Sequence, residues 1–165
     1  MDIGWAETPV GWARVETAGG LIHSFRFEEQ VPAGAFREKP PNELLRASEA
    51  CCNNLTPLPF LALSGSAYQR RLWETLTCIP RGETRTYGDI AEMIAQPSHA
   101  RAVARSCSQN VFAVLIPCHR VVGKKRIGGD RWGGELKQAL LEWEGRGGDS
   151  GPFVISFWTM GRKSS

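Results

Sequence analysis

Apolar and polar positions fall into distinct periods along the chain, and each period predicts a kind of element. From Thr8 to Phe27 the chain reads Pro-Val-Gly-Trp-Ala-Arg-Val-Glu-Thr, then a Gly19-Gly20 turn signal, then Leu-Ile-His-Ser-Phe-Arg-Phe. That pattern predicts two strands joined as a hairpin. Residues 32–41, with Gly34, Lys39, Pro40 and Pro41, argue against a regular element. Asn42 to Cys52 reads as a short helix, and Pro57-Leu58-Pro59-Phe60-Leu61 as an extended connector. Ser66 and Gln69 form a capping box, and Tyr68, Leu72, Trp73 and Leu76 share one face, so a helix runs from about Ala67 to Cys78. Trp73 belongs to the core on this reading, and Ile79-Pro80-Arg81-Gly82 ends the helix. Thr86 with Asp89 caps a further helix bearing Ile90, Met93 and Ile94. Gln96-Pro97 breaks it, and Ser98 caps another through Cys107. This is a helix-turn-helix pattern, weak alone because any two short packed helices produce it. The apolar run Val111 to Ile116 reads as a strand that Pro117 stops, leaving Cys118 at its end. Arg146 to Gly151 looks like a flexible exit. Phe153 to Trp158 is too apolar for a solvated tail, so it either docks on the body or is an oligomerisation liability. Docking is the favoured reading.

These elements predict an α+β chain. A small N-terminal antiparallel sheet domain (1–64) packs on a mainly helical C-terminal domain (65–147). Residues 148–165 form an extension of unassigned role. At 165 residues, 42% hydrophobic and 22% charged, the composition is that of a soluble globular protein rather than a disordered tail or fibre. No apolar stretch approaches the roughly 20 residues of a membrane span, and Met1-Asp2-Ile3-Gly4-Trp5 is not a signal peptide, so a cytoplasmic location is expected, or a nuclear one in a eukaryote. Five cysteines at irregular spacing, without a Cys-x-x-Cys pair, read as free thiols rather than zinc ligands. A net charge of +3 does not argue for nucleic acid by itself. Its distribution is more informative, because Arg101, Arg105, Arg120, Lys124, Lys125, Arg126 and Arg131 flank one segment. A solvated basic face is the plain alternative.

That segment is Ile116-Pro117-Cys118-His119-Arg120-Val121-Val122. It sets one thiol beside a base and a cation, and a thiolate is a strong nucleophile at neutral pH only when something lowers its pKa. A lone Cys-His pair carries little, since most intracellular cysteines are small buried hydrophobes. The heptapeptide as a whole resembles the Pro-Cys-His-Arg-Val signature of the O6-alkylguanine-DNA alkyltransferases. Tyr68 to Trp73 resembles that family's Phe-Gln-x-x-Val-Trp helix, and Ile79-Pro80-Arg81-Gly82-Glu83 its Ile-Pro-x-Gly-Glu. The helix-turn-helix pattern gains its weight from standing just before this motif.

The resemblance implies stoichiometric transfer of an alkyl group from O6 of guanine, and less readily from O4 of thymine, to Cys118. No cofactor or metal is implied, and the partner is duplex DNA entered from the minor groove by a monomer. His119 would take the thiol proton, through a water because neighbouring side chains of an extended segment point apart. Glu144 matches the glutamate that orients this histidine. Glu142 competes with it, but Leu136, Leu140 and Leu141 bury the face nearer Glu144. Tyr87 matches the tyrosine that donates its phenol to the flipped guanine, although a core tyrosine would look the same. Asn110 matches the asparagine of the turn before the active-site strand, and Val121 a main-chain contact to the guanine. Arg101 matches the arginine that replaces the flipped base, with a phosphate contact as the alternative. Ala100, Ala102 and Ala104 would allow close approach to a narrow groove, and Arg105 and Arg120 would add DNA contacts. Gly129-Asp130-Arg131-Trp132-Gly133 resembles a Gly-Tyr-Arg-Trp-Gly, which places Asp130 and Trp132 at the alkyl pocket. Asp130 stands where an aromatic is usual and predicts slower transfer or a shifted alkyl preference. Two other classes stay open on the residues: a lesion-binding sensor without transfer, and a cysteine hydrolase built on Cys118 and His119.

Overall fold

A computed structural model describes residues 1–94, 99–123, 134–145 and 152–161. The N-terminal sheet begins before the expected hairpin: β1 (Asp2–Thr8) pairs antiparallel with β2 (Gly11–Ala18), and β2 with β3 (Leu21–Glu28). Gly19 and Gly20 take φ of 60° and 77° at the β2–β3 turn, as a tight hairpin turn with two left-handed residues requires. Ala13, Val15, Ile22 and Phe25 point inward, while Arg14, Glu16 and Arg26 stay partly exposed, so one face of the ribbon is core.

Two more strands, β4 (Phe36–Glu38) and β7 (Ser156–Thr159), complete the sheet in the order β3-β2-β1-β7-β4. β4 lies within the stretch expected to be irregular. Its three residues pair with β7, and pairing rather than propensity makes it a strand. The apolar C-terminal segment docks, as favoured, by inserting between β1 and β4. Gly4 makes room for it, since a Cβ there would lie 2.1 Å from Cζ of Phe157. Phe153 is buried against Trp143 and Phe25.

The helices follow the predicted order. α1 (Asn42–Cys52) buries Leu44, Ala47 and Ala50. Residues 58–60 form a short 3-10 turn rather than an extended connector, because Phe60 N–H closes onto the carbonyl of Pro57. α2 (Ala67–Thr77) has the expected reciprocal box between Ser66 and Gln69, and it buries Leu72, Trp73 and Leu76. A two-residue parallel pair, β5 (Arg85–Thr86) with β6 (Val121–Val122), leads into α3 (Tyr87–Met93), capped by Thr86 and Asp89. α4 (Ala100–Ser108) packs on α3, with His99 at its N-cap position; Gln96, Pro97 and Ser98 lie outside the described residues. α5 (Gly134–Gly145) closes the helical half.

The expected strand over Val111 to Ile116 is not one. Only Phe112 bridges to the sheet, at Phe25, and the chain then turns through Val114 at φ 65°. A β-branched residue seldom enters the left-handed region, so this turn is held by its surroundings. Asn110 supplies part of that hold: its Nδ2 donates to the carbonyls of Phe112 (3.2 Å) and Ile116 (3.0 Å), and its Oδ1 accepts from Phe112 N–H (2.8 Å). One contiguous core runs from Ala6 and Phe157 through Phe25 and Leu72 to Leu140, so sheet and helices share it. No helix among the described residues is long and apolar enough to cross a membrane.

Candidate active site

Pro117 ends the turn that Asn110 braces, and the chain enters a 3-10 helix, Cys118–Arg120, whose three side chains are all buried. Cys118 is therefore on a tight helical turn rather than at a strand end. Its N–H donates to the carbonyl of Ile116 (2.8 Å), and Arg120 N–H to that of Pro117 (3.0 Å). The backbone around Cys118 is thus fixed on both sides.

His119 reaches α5, where its Nε2 lies 2.9 Å from Oε1 of Glu144, both side chains being 2% exposed. Burial raises the Glu144 carboxyl, but hydrogen bonds and charge from His119 and Arg120 outweigh it and hold the group at about 2. Glu144 is therefore a carboxylate, an acceptor only, and Nε2 of His119 carries the proton between them. That tautomer leaves Nδ1 as the basic nitrogen. Nδ1 is buried and has no hydrogen-bond partner among the described residues, the arrangement a proton acceptor needs. Glu142, the competing carboxylate, is exposed and accepts from Gln138.

Arg120 was expected on DNA and is not placed there. It is 5% exposed, and its Nε lies 3.1 Å from both carboxylate oxygens of Glu144. Its Nη2 donates to Oε2 of the same group, and Nη1 to the carbonyl of Ile79 (2.8 Å). A carboxylate this deep needs a cation beside it, which is why the arginine turns inward rather than to solvent.

Sequence reasoning missed two side chains at this site. Lys137, on α5, is 1% exposed and donates to the Tyr87 hydroxyl at 3.3 Å, with its Nζ 5.5 Å from the ring centroid. The signal was available: Lys137, Leu140 and Glu144 recur at helical spacing, so two ionisable residues sit on a buried stripe. The face is built by Lys137, Leu140, Trp143 and Glu144 rather than by Leu136 and Leu141. Cys51, on α1, was unreadable in advance because it touches the site only through the fold. Burial pushes its thiol up to about 12 against the pull of Arg120, so it stays protonated. Its sulfur lies 4.0 Å and 3.8 Å from the carbonyls of Val114 and Leu115.

The remaining expected residues fall on two surfaces. Tyr87 starts α3 beside β6, and the parallel pairing of Thr86 with Val122 brings it next to buried Val121. Arg101 and Arg105 are exposed on α4, and Ala100, Ala102 and Ala104 are half-buried on the same helix. Asp130 and Trp132, together with Lys124, Lys125, Arg126 and Arg131, lie outside the described residues. Among the described residues no three His, Cys, Asp or Glu side chains gather as a metal-binding group, and all five cysteines are free.

Residues 67–146 match the family of the 6-O-methylguanine DNA methyltransferase DNA-binding domain. A probable methylated-DNA–protein-cysteine methyltransferase of Acanthamoeba polyphaga mimivirus is 50% identical over 84 residues, 51% of this chain; the chain spans only 56% of that relative's length. The methylated-DNA–protein-cysteine methyltransferase of Mycobacterium bovis is 46% identical over 146 residues, covering 84% of this chain and 88% of that protein. Among solved structures, Mycobacterium tuberculosis OGT in complex with DNA superposes with a TM-score of 0.69 at 33% identity, over 86% of this chain and 91% of that one.

Proposed function

Because the chain belongs to the methylated-DNA–protein-cysteine methyltransferase family, we propose that it repairs duplex DNA by moving the alkyl group from O6 of guanine onto Cys118. The observation that carries this reading is the buried His119–Glu144 pair next to buried Cys118, with Nε2 of the imidazole pinned and Nδ1 left to accept a proton. A water between the thiol and Nδ1 would pass that proton inward. Glu144, held ionised by Arg120, then stabilises the imidazolium without taking the proton itself.

The sulfur attacks a saturated carbon: the S–C bond forms, the C–O bond breaks, and the electron pair leaves on the purine. Tyr87 supplies a proton as that charge develops. Lys137, donating to the phenol oxygen, holds the hydroxyl in place for that donation. The product is a thioether, which water does not cleave as it does a thioester, so the protein is consumed in one turnover. O4-alkylthymine fits the same chemistry as a poorer substrate. Reaching an edge buried in the stack requires the nucleotide to be extruded, with Arg101 filling the gap from the minor groove. A cysteine hydrolase would have no use for the exposed basic helix, and a sensor without transfer would have no use for the His119–Glu144 pair.

Intact mass after incubation with a duplex carrying one O6-methylguanine tests the reading. A gain of one methyl on the wild type, absent in Cys118→Ala, is expected. Tight binding with no mass change would leave the sensor instead.

A further inference from the structure

Resting on the reading of α4 as the DNA-facing helix, we propose that Arg105 is a second groove-reading cation that makes repair depend on the base pairs flanking the lesion, favouring A·T over G·C. α4 has two sides. Val103, Ser106 and Cys107 are buried, and Arg101, Arg105 and Ser108 run along one exposed stripe. Arg105 follows Arg101 by four residues, a rise of about 6 Å along the axis, or roughly two steps along a DNA strand.

Both guanidinium groups are available. The arginines in ion pairs among the described residues are Arg14, Arg85 and Arg120, and the Ser108 hydroxyl is occupied by the Arg105 carbonyl (2.6 Å) rather than by its side chain. The helix that carries them packs on α3. At its caps, His99 meets the Tyr68 ring edge-on at 6.4 Å, and Gln109 accepts from Gln69 at 3.2 Å. One rigid helix sets a fixed spacing, so when Arg101 occupies the gap left by the extruded base, Arg105 meets a defined position in the flanking groove.

In the minor groove that position distinguishes sequences by shape. A·T runs narrow the groove and deepen its negative potential, which draws in a weakly hydrated guanidinium. A G·C pair instead places the guanine amino group in the groove floor. Ala102 and Ala104, between the two arginines, carry no bulk that would hold the backbone away.

Equilibrium binding of the Cys118→Ser protein to duplexes with one O6-methylguanine, the two pairs on either side being A·T or G·C, measures the effect. The A·T duplex is expected to bind about five- to tenfold tighter, the scale of one unfavourable base pair. Arg105→Ala should remove that preference and lower the slope of log affinity against log salt by about one. Arg105→Lys should restore the slope and little of the preference. Equal affinity for the two duplexes, or a preference that survives Arg105→Ala, overturns the proposal. Intact mass on the wild type separates this from the repair reading: a methyl on Cys118 is expected. Its absence in the wild type would overturn repair whatever the flanks show.

Discussion

Glu144 answers to two partners at once, the His119 imidazole and the Arg120 guanidinium, and its substitutions should separate their roles. Its carboxyl titrates at about 2 in the fold against an ordinary 4.5, so its contribution to stability is fully present above pH 4.5 and is lost as the pH falls toward 2. A difference of that size corresponds to roughly 3 kcal/mol. Urea unfolding at pH 7 and pH 3 should show the loss in the wild type, and Glu144→Gln should flatten that step. The same substitution leaves Arg120 buried without its counter-charge, which costs about 3–5 kcal/mol at neutral pH. It should also lower the single-turnover rate about a hundredfold by removing the orientation of His119. Glu142→Gln, on an exposed side chain, should change neither. Asp130 calls for the opposite experiment: Asp130→Tyr should speed transfer or shift the preference between methyl and benzyl lesions, and kinetics matching the parent on both would contradict the pocket-wall reading.

Elements place these residues, and the largest control lies outside the helical half. The edge of β3 continues into the active-site turn: Phe25 N–H donates to the carbonyl of Val111 (2.8 Å), and Ala113 N–H to that of Phe25 (2.9 Å). Asn110 and Cys51 hold the same turn from two other directions. Asn110→Ala removes three buried hydrogen bonds from the turn that holds the left-handed Val114, which should cost about 2–4 kcal/mol in thermal or urea unfolding. Phe153→Ala opens a cavity beneath Trp143, next in sequence to Glu144, and should cost about 3–5 kcal/mol. These two elements also mark what sequence could and could not show. Capping boxes at Ser66 and Thr86 and the 3.6 period of Tyr68 to Leu76 are local signals, and the helices appeared where they predicted. The strand expected over Val111 to Ile116 failed because a fully buried apolar run carries no period. Tertiary bonds to Asn110 decide its shape instead. β4 is a strand only because β7 lies beside it, and β7 is held between β1 and β4, pairings that no local pattern encodes.

At the scale of the molecule, one core joins the sheet to the helices, and Cys118 sits within it rather than on a detachable module. The motif around Cys118, the carboxylate Glu144 and the helix bearing Arg101 were legible because each pairs a chemical residue type with a fixed spacing. Arg120 was misassigned for the reverse reason: an arginine beside a basic surface reads as exposed until its partner, 24 residues away, is seen to lie against it. On the proposed transfer Cys118 ends as a thioether, so it is filled only once. The most direct test sets a duplex with O6-methylguanine in excess over the protein and follows repaired lesion to completion. The account predicts a plateau at one methyl per chain, all of it on Cys118. Continued repair beyond one equivalent, or a plateau with Cys118 unmodified, would contradict it.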